Sequence, residues 1–374
     1  MSASAVEIGR RLKDARDAMG MSLQVAARRL GMPSYQTLAK IEKGEREVRA
    51  SELAKFSTEY FIDVAHLLLP ETGPVRDIPL LWRSAPHADV RKEIEARIRH
   101  KFEEYHLLES FLEITEQHSV PAAVSAANIK DDRAIDDLAL SIANLLDLGS
   151  KPAFLLQQAL EEKCNIKVLY EELEFGSAAT TIHPEYGAAI VINSKEAAWR
   201  QRFTLSHELF HVLTWDVLPR HGSDNGDEPS SFVERKADRF ASCLLLPEAE
   251  VRRELKTASV TTDLVDIAMR FGVSTIALIY RLANLGIMKR ENAETLANDD
   301  TFSRLDKRLR KAVPEEKAVS ERFIELASKC LRKGHISRGR FSALVGIHRS
   351  EIDNFLTSRG MIETEGALLE DMYC

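Results

Sequence analysis

The segment TLSHELFHVL at residues 204–213 constrains the fold of this chain more than any other stretch. His207 and His211 are four positions apart, so a helix presents both imidazoles on one face with Cβ atoms about 5–6 Å apart. Glu208 lies one step further round, where it can take a proton from a nearby water molecule instead of joining the same ion. The pattern H-E-x-x-H therefore indicates a one-ion site that needs a third ligand from another element. The alternative is two ordinary helix histidines hydrogen-bonded to solvent.

A second helical segment, FVERKADRFASCLLLP, follows a turn-rich stretch and carries carboxylates at helical spacing. Glu234 and Asp238 lie at i and i+4 on one face of it. Glu234 can complete a set of two histidines and one glutamate, the zinc ligands of thermolysin, and Asp238 can fix the tautomer of a ligating imidazole. The competing interpretation is that Ser231 and Glu234 form a capping box.

A further helical segment, PAFLLQQALEEKCN, precedes the histidine-bearing one. Between the two, apolar residues recur at every second position instead of at helical spacing. The runs IKVLYEEL, SAATTIH and GAAIVIN are short, rich in β-branched residues and separated by turn signals, which predicts three strands. One helix, a small sheet and then the histidine-bearing helix is an α+β arrangement.

Residues 150–250 resemble the ImmA/IrrE metallo-endopeptidase family. The matching positions are Asn193, Arg202, Phe203, Thr204, Leu205, His207, Glu208, Leu209, His211, Glu234, Ala237, Asp238, Phe240, Ala241 and Leu244 to Pro247. The resemblance implies a gluzincin-like domain in which three of these side chains bind Zn²⁺ and Glu208 activates water to cut a peptide bond. The implied zinc ligands are His207, His211 and Glu234.

The resemblance leaves two features of the site to be decided. Phe210 stands where the family has glycine before the second histidine, and we expect its bulk to narrow the cleft. Tyr186 and Arg202 are candidate donors to an oxyanion, with purely structural roles as the alternative for both. Members of the family act on a repressor in some cases, releasing transcription after stress or during induction of a mobile element.

The first seventy residues show four short helical segments in which Gly20, Gly31 and Gly44 act as terminators and Ser22 is a plausible N-cap. Eleven Lys or Arg residues against nine Asp or Glu residues make this part slightly basic, although the whole chain has a net charge of −7. A slight excess of positive charge indicates a polyanionic partner only when a binding motif accompanies it.

The motif is present, because residues 6–69 resemble the Xre-type helix-turn-helix family of phage-repressor-like domains. The matching positions are Ser22, Ala27, Leu30, Gly31, Leu38, Ile41, Glu42 and Gly44. The sequence departs from the family by Leu23 in place of glutamine and by one extra residue between Gly31 and Ile41. The resemblance implies that the third helix enters the major groove of DNA, which nominates Ser34, Tyr35, Gln36, Lys40 and Lys43 as contacts. The alternative is a helical packing module that does not touch DNA.

The chain has 374 residues, which is too long for one compact core. We predict a mostly α protein with a small β-sheet (α+β), divided into four parts. These are a helix-turn-helix domain (1–70), a helical connecting region that is a candidate dimerisation surface (71–150), a metallopeptidase domain (151–290) and a C-terminal helical module (291–374). The segments 265–288 and 336–356, each with a glycine between two helices, are either packing hairpins or further helix-turn-helix units.

Composition narrows the cellular setting of the protein. The four cysteines are widely spaced, no run of about 18 apolar residues is present, and the first residues are charged throughout. We therefore expect a cytoplasmic protein outside the membrane. The expected function is a DNA-binding regulator with a zinc peptidase domain that cuts a repressor or an antitoxin-like partner. The setting is a stress response or a toxin–antitoxin system, and a homodimer is one expected form of the protein. The alternative is a regulator or antitoxin whose metal domain serves only as a sensor or scaffold.

Overall fold

A computed structural model of the chain describes residues 3–69, 80–82, 88–114, 121, 124–174, 176–184, 186–218, 231–256, 261–311 and 319–361. The described chain is mostly helical with one small mixed sheet, which confirms the predicted fold class. Within these ranges no helix has both the length and the apolar character needed to cross a membrane.

Five short helices form the N-terminal unit. They are α1 (Ala5–Ala18), α2 (Leu23–Arg29), α3 (Tyr35–Glu42), α4 (Ala50–Tyr60) and α5 (Val64–Leu68). The hydroxyls of Ser4, Ser22 and Ser34 begin the first three helices by accepting an N–H bond from the residue three positions on. Gly9 lets α1 approach α3 closely, since a Cβ there would lie 2.4 Å from the backbone oxygen of Ile41.

The described part of the connecting region contains one strand and two helices, and α8 begins the domain that follows. The strand is β1 (Leu81–Trp82), and the helices are α6 (Ala88–Phe111) and α7 (Asp132–Leu145), with a short 3-10 turn at Ala126–Ile129; α8 is Pro152–Lys163. Although charges run along α6, the helix is buried on two sides. Ala96 belongs to the core of the N-terminal unit, whereas Ile98 and Phe102 pack with residues from the outer face of the sheet. The helix therefore joins the two parts of the molecule within one chain, and no dimer partner is needed to cover these side chains.

The sheet has four strands in the order β1-β3-β4-β2, where β2 is Lys167–Glu171, β3 is Ala178–His183 and β4 is Gly187–Asn193. The three predicted strands are therefore present, and β1 is an addition. Strand β4 is parallel to β2 and antiparallel to β3, and β1 is antiparallel to β3 with Leu81 opposite Thr180. One face packs on the histidine-bearing helix and the other on α6, so β4 is buried at every position.

The helices below the sheet are α9 (Ala198–Leu213), α10 (Ser231–Leu245), α11 (Glu248–Leu255), α12 (Thr261–Phe271) and α13 (Thr275–Asn284). Helix α9 packs against β3, β4, α8 and α10. Its apolar residues Leu209 and Phe210 are fully buried in the same core as Ile190 and Ile192 of β4. The first glycine-centred hairpin, α12 and α13, contributes Phe271 to this core, so the packing role accounts for it.

The remaining helices are α14 (Arg290–Ala297), α15 (Asp300–Lys311), α16 (Glu321–Arg332), α17 (Arg338–Val345) and α18 (Ile352–Ser358), with a 3-10 turn at Arg349–Glu351. Helix α16 packs on α6 and α8. Phe323, Phe341 and Ile352 join the apolar cluster on the outer face of the sheet. The second glycine-centred hairpin therefore also buries its apolar side chains against the rest of the chain.

Candidate metal centre and nucleic-acid interface

Helix α3 presents an exposed polar surface at the start of the molecule. Tyr35, Gln36, Lys40 and Lys43 are exposed, whereas Leu38 and Ile41 on the opposite side of the helix are buried in the core of the unit. Ser34 is half-buried, and its hydroxyl accepts the N–H of Thr37 as the N-cap. Four of the five nominated side chains are thus available to a partner, and Ser34 already begins the helix.

The two histidines are brought together by α9. His207 and His211 lie one turn apart, and their Nε2 atoms are 3.2 Å from each other. The start of this helix is fixed to the end of β4, because the side chain of Gln201 donates to the backbone oxygen of Asn193 at 3.0 Å. Burial is almost complete, with His207 0% and His211 4% exposed. Both imidazoles therefore converge on one point beneath the sheet.

Glu234 of α10 reaches the same point. Its two carboxylate oxygens lie 3.2 Å from the Nε2 atoms of His207 and His211, respectively. The three candidate ligand atoms all lie within 4.8 Å of one another. Two imidazole nitrogens and one carboxylate, with solvent reaching the carboxylate, form a donor set that zinc accepts. The proposed capping-box alternative involves the side chain of Ser231, which lies outside the described residues.

The charge state of Glu234 suits this arrangement. Burial raises the pKa of this carboxyl, but the hydrogen bonds and the charges of the two neighbouring imidazoles outweigh burial and lower the pKa to about 2. The side chain is therefore ionised at neutral pH, and an ionised carboxylate is the form that binds a cation.

Asp238, one turn further along α10, contacts the other nitrogen of His207. Its Oδ1 atom is 2.8 Å from Nδ1. Helix α10 is held in the required rotation by the adjacent Arg239, whose guanidinium binds both oxygens of Asp136 on α7 at 2.8 Å. For the ring to bind a cation, an N–H at Nδ1 donates to Asp238 and the Nε2 proton that is hydrogen-bonded to Glu234 is given up, which leaves the Nε2 lone pair facing Glu234 and His211.

Glu208 of α9 points towards the sheet. Its Oε2 atom accepts a hydrogen bond of 2.6 Å from the hydroxyl of Thr180 in the middle of β3. Its Oε1 atom is buried and has no hydrogen-bond partner among the described residues. The residue is only 1% exposed. A buried carboxylate oxygen without a partner is uncommon and is typical of a site that handles a proton or a ligand.

Comparison with known families accounts for these two sites. Residues 161–283 match the family described as the IrrE N-terminal-like domain, and residues 7–60 match a helix-turn-helix domain. The chain therefore carries a helix-turn-helix domain and an IrrE-like domain. The match to the IrrE-like domain contains the histidine-bearing helix and Glu234, and the match to the helix-turn-helix domain contains α3.

The curated relatives share only the IrrE-like part. The radiation response metalloprotease IrrE of Deinococcus deserti is 37% identical over 100 residues, which is 25% of this chain and 35% of that protein. The protein of the same name from Deinococcus radiodurans is 32% identical over 104 residues, 26% of this chain and 31% of that protein. The chain thus spans about a third of the length of these relatives.

One solved structure, described as a Mycobacterium tuberculosis transcriptional regulator, is similar over 48% of this chain and 51% of its own. Its sequence identity is 15% and its TM-score is 0.32. A likeness of this size carries no conclusion about function.

The side chains of Tyr186 and Arg202 each make a ring contact within the IrrE-like domain. The ring of Tyr186 stacks on His183 with the ring centroids 4.6 Å apart. The guanidinium of Arg202 lies 4.6 Å from the centre of the Phe154 ring. These contacts are compatible with the structural roles of both residues.

The ring of Phe210 lies beside His211, with the ring centroids 6.0 Å apart. The side chain is fully buried in the core, and its ring lies 5.6 Å from the ring of Phe240 on α10. In a helix, the residue before His211 projects about 100° away from it. The phenylalanine therefore fills space between α9 and α10 next to the second histidine.

Thr180 is the residue of this site that the sequence reasoning missed. The alternation along β3 places Ala178, Thr180 and Ile182 on the face that packs on α9. That alternation could have shown that Thr180 faces a helix. Which residue of α9 it would meet depends on how the sheet and the helix pack, and the sequence carries no local signal for this.

A cavity of about 780 Å³ lies next to Asp238, on the side of α10 that faces α13. The aromatic side chains that line it are Trp199, Phe203, Phe232 and Tyr280. Cationic side chains, including Arg235 and Arg290, line it as well. Neither the two histidines nor Glu208 is among the lining residues, so the cavity adjoins the candidate metal centre without opening into it.

Proposed function

We propose that this chain is a DNA-binding transcriptional regulator whose IrrE-like domain is a zinc-dependent endopeptidase that cleaves a repressor or an antitoxin-like partner protein. The observation that carries this proposal is the convergence of two imidazoles and one carboxylate within 4.8 Å, next to the buried Glu208. A domain that only binds a partner has no need of a general base at this place.

The residues present fit zinc. His207, His211 and Glu234 would hold the ion, and two nitrogens with one carboxylate is a ligand set of catalytic zinc that leaves one position for the substrate. Bound zinc supplies a Lewis acid that polarises the peptide carbonyl. Asp238 contributes by holding the imidazole of His207 in the tautomer that offers Nε2.

Glu208 is the proposed general base. Because Thr180 donates to Oε2, the carboxylate is held in one orientation and Oε1 is the oxygen that can accept a proton. In the proposed reaction, Oε1 takes a proton from the attacking water and later gives it to the nitrogen of the departing amine. The low exposure of the residue strengthens both the proton transfer and the electrostatic effects around it.

The helix-turn-helix domain would place this activity at a promoter. Gln36 can read an adenine edge, and Lys40 and Lys43 can contact guanine or phosphate, because all three are exposed on α3. Domains of this type commonly bind two half-sites as a dimer, so we propose a homodimer on DNA. The three described cysteines are buried free thiols, which suits the reducing cytoplasm. A stress response is the setting that the radiation response metalloproteases of Deinococcus favour.

A second function is a regulator or antitoxin that does not cut its partner. The low exposure of His207, Glu208 and His211 favours it, since a peptide bond cannot reach a closed site. The cavity beside Asp238 could then receive a ligand whose binding shifts the metal centre, and the domain would act as a sensor or scaffold.

The experiment compares zinc content and partner cleavage in the full-length protein. We expect close to one zinc ion per chain, loss of zinc in His207→Ala and retention of zinc in Glu208→Gln. Quantitative proteomics of cells should then show one protein that is cut with wild type and accumulates intact with Glu208→Gln. A wild-type protein without metal would overturn the assignment of the site. Unchanged regulation by Glu208→Gln with no cut partner would favour the second function.

A further inference from the structure

The cavity beside Asp238 has a size and a position that the proposed peptide hydrolysis does not use. Its volume of about 780 Å³ falls within the range of about 300–1,000 Å³ that is usual for small-molecule sites. Most of its lining residues come from α9, α10 and α13, and α10 packs on both of the other helices. The walls therefore belong to one packed part of the molecule.

Aromatic rings line this cavity from all three helices. Trp199 and Phe203 come from α9, Phe232 from α10 and Tyr280 from α13. Trp199, Phe203 and Tyr280 are half-buried, so part of each ring is open to solvent. Exposed faces and edges of aromatic rings bind another planar ring by offset stacking or by edge contacts. The lining therefore favours a ligand with an aromatic ring.

The lining also carries an excess of positive charge. Five cationic side chains line the cavity against two carboxylates, Asp132 and Asp238, although the whole chain has a net charge of −7. Asp132 is already paired with Arg239 at 2.8 Å. Two other cations pair with glutamates four residues away. The last two, Arg235 and Lys236 of α10, have no carboxylate within ion-pair distance among the described residues, so they can attract an anion.

Two buried hydroxyls of the lining have no hydrogen bond. Thr204 of α9 is 1% exposed and Ser242 of α10 is 8% exposed, and neither hydroxyl has a partner among the described residues. By contrast, the buried hydroxyls of Thr214 at the end of α9 and of Ser328 in α16 donate to the carbonyl four residues earlier. An unpaired buried polar group costs free energy, and a ligand in the cavity can supply the missing partner.

We propose that this cavity is a binding site for a small anion that carries an aromatic ring. The ring packs against Trp199 and Tyr280, the anionic group lies near Arg235 and Lys236, and polar substituents bond to the two buried hydroxyls. A carboxylate and a phosphate both provide the negative charge. The ligand is therefore an aryl carboxylate or a nucleotide, and the binding of two probes distinguishes these sources.

The site borders the candidate metal centre through Asp238, which lines the cavity and contacts His207 at 2.8 Å. The inference deepens the second function, because it gives the chemical class of the ligand that a sensor would bind. It rests on that function only for the consequence of binding. Binding itself requires neither zinc nor cleavage, so it is measured in metal-free and in zinc-loaded protein.

The first test locates the ligand with the three tryptophans of the chain, Trp82, Trp199 and Trp215. Full-length protein is labelled with fluorotryptophan and observed by fluorine NMR, and naphthoate and adenosine monophosphate are the probes. We expect the signal of Trp199, assigned with Trp199→Phe, to shift with a Kd of about 1 mM or tighter, as is usual for fragments of this size. The signals of Trp82 and Trp215, which are 4% and 7% exposed, should not shift.

The second test measures the contribution of charge. Naphthamide and adenosine are the neutral counterparts of the two probes, and we expect them to bind at least about fivefold more weakly. Arg235→Gln should weaken the binding of the anions about fivefold, because Arg235 is exposed and water screens part of its charge. Arg308→Gln is the matched control, since Arg308 is an exposed arginine of α15 that does not line the cavity.

The third test separates a binding role of the hydroxyls from a structural one. Ser242→Ala removes a hydroxyl that has no partner, so the Tm of the ligand-free protein should stay the same or rise. The affinity for the bound probe should fall about threefold to tenfold. Ser328→Ala is the matched control, because its hydroxyl is bonded to Ile324. It should lower the Tm and leave the affinity unchanged.

The outcomes separate this inference from the proposed function. The cavity site is overturned if neither probe shifts the Trp199 signal at about 10 mM, or if all three tryptophan signals shift equally. Equal binding of anionic and neutral probes, or unchanged affinity in both Arg235→Gln and Ser242→Ala, would overturn it as well. A selective shift with either probe supports the site and identifies the source of the charge. Probe binding to a wild type that holds no zinc refutes only the metal site, whereas zinc and partner cleavage without probe binding refute only the cavity.

Discussion

The contact between Asp238 and His207 predicts a measurable effect on zinc affinity. Replacing the carboxylate by an amide, Asp238→Asn, keeps the shape of the side chain but removes its charge and lets the group flip. Oδ1 is 2.8 Å from Nδ1, and partners of this kind commonly change metal affinity by 10- to 100-fold. Because the Asp238 side chain is 49% exposed, water screens the interaction and can partly replace it. We therefore expect the lower end of this range for Asp238→Asn, which is about a tenfold increase of the Kd for zinc, or ~1.4 kcal/mol of binding free energy.

The assay is competition for zinc between the full-length protein and a chromophoric chelator at pH 7. Asp132→Asn is the matched control, since Asp132 lines the same cavity and binds Arg239 at 2.8 Å. It should leave the zinc affinity within about twofold of wild type, as expected for a surface ion pair. If Asp238→Asn and Asp132→Asn bind zinc equally well, Asp238 does not orient the imidazole and the assigned tautomer of His207 is wrong.

Three further predictions address other parts of the molecule. Thr180→Val removes the hydroxyl that orients Glu208, and partner cleavage should fall about 10- to 100-fold at unchanged zinc content; a normal rate would show that Glu208 needs no such support. On α6, burial lowers the pKa of His100, but the nearby carboxylates of Glu103 and Glu104 outweigh burial and raise the pKa to about 9. The protonated His100 therefore stabilises the fold fully below the unfolded pKa of about 6.5, and this stabilisation is lost as the pH rises to about 9. The free energy of unfolding from chemical denaturation should decline over this pH range in wild type, and His100→Gln should lack this decline. Lys40→Ala should lower the slope of log affinity for DNA against log salt by about one, whereas Lys55→Ala on the exposed side of α4 should not.

Much of the fold could be predicted because its signals are local. The caps at Ser22 and Ser34, the glycines that end helices and the period-two runs of β2, β3 and β4 all depend on neighbouring residues. Strand β1 could not be predicted in this way. Two residues have no period, and Leu81 and Trp82 become a strand only because β3 offers an unpaired edge about a hundred residues later.

The candidate site shows the same division between local and distant information. The spacing of His207 and His211, and of Glu234 and Asp238, follows from one turn of a helix. Packing brings Glu234 of α10 within 3.2 Å of the Nε2 atom of His207 on α9, and the ion pair between Arg239 of α10 and Asp136 of α7 contributes to it. The contact between Glu208 and Thr180 joins a helix to a strand and has no signature in either segment.

Helix α6 was the least foreseeable element. Its run of charges is typical of a solvated helix, yet Ile98 and Phe102 are almost completely buried and even Arg99 and Glu109 are buried. The charged residues are paired within the chain, as Glu109 is with Arg322 at 2.7 Å. Pairing lets a helix with many charges be buried on two sides, and the pairing partners are far away in the sequence.

The burial of α6 on two sides determines where the chain can be truncated without exposing its core. A fragment that began at residue 151 would retain the three proposed ligands but lose β1 and α6. Leu169, Ala189 and Val191 on the outer face of the sheet would then face water, together with the apolar side of α16. Such a fragment should aggregate, so failure to observe activity in it would say nothing about the proposed peptidase activity. A truncated protein that keeps this face of the sheet covered must start before Leu80.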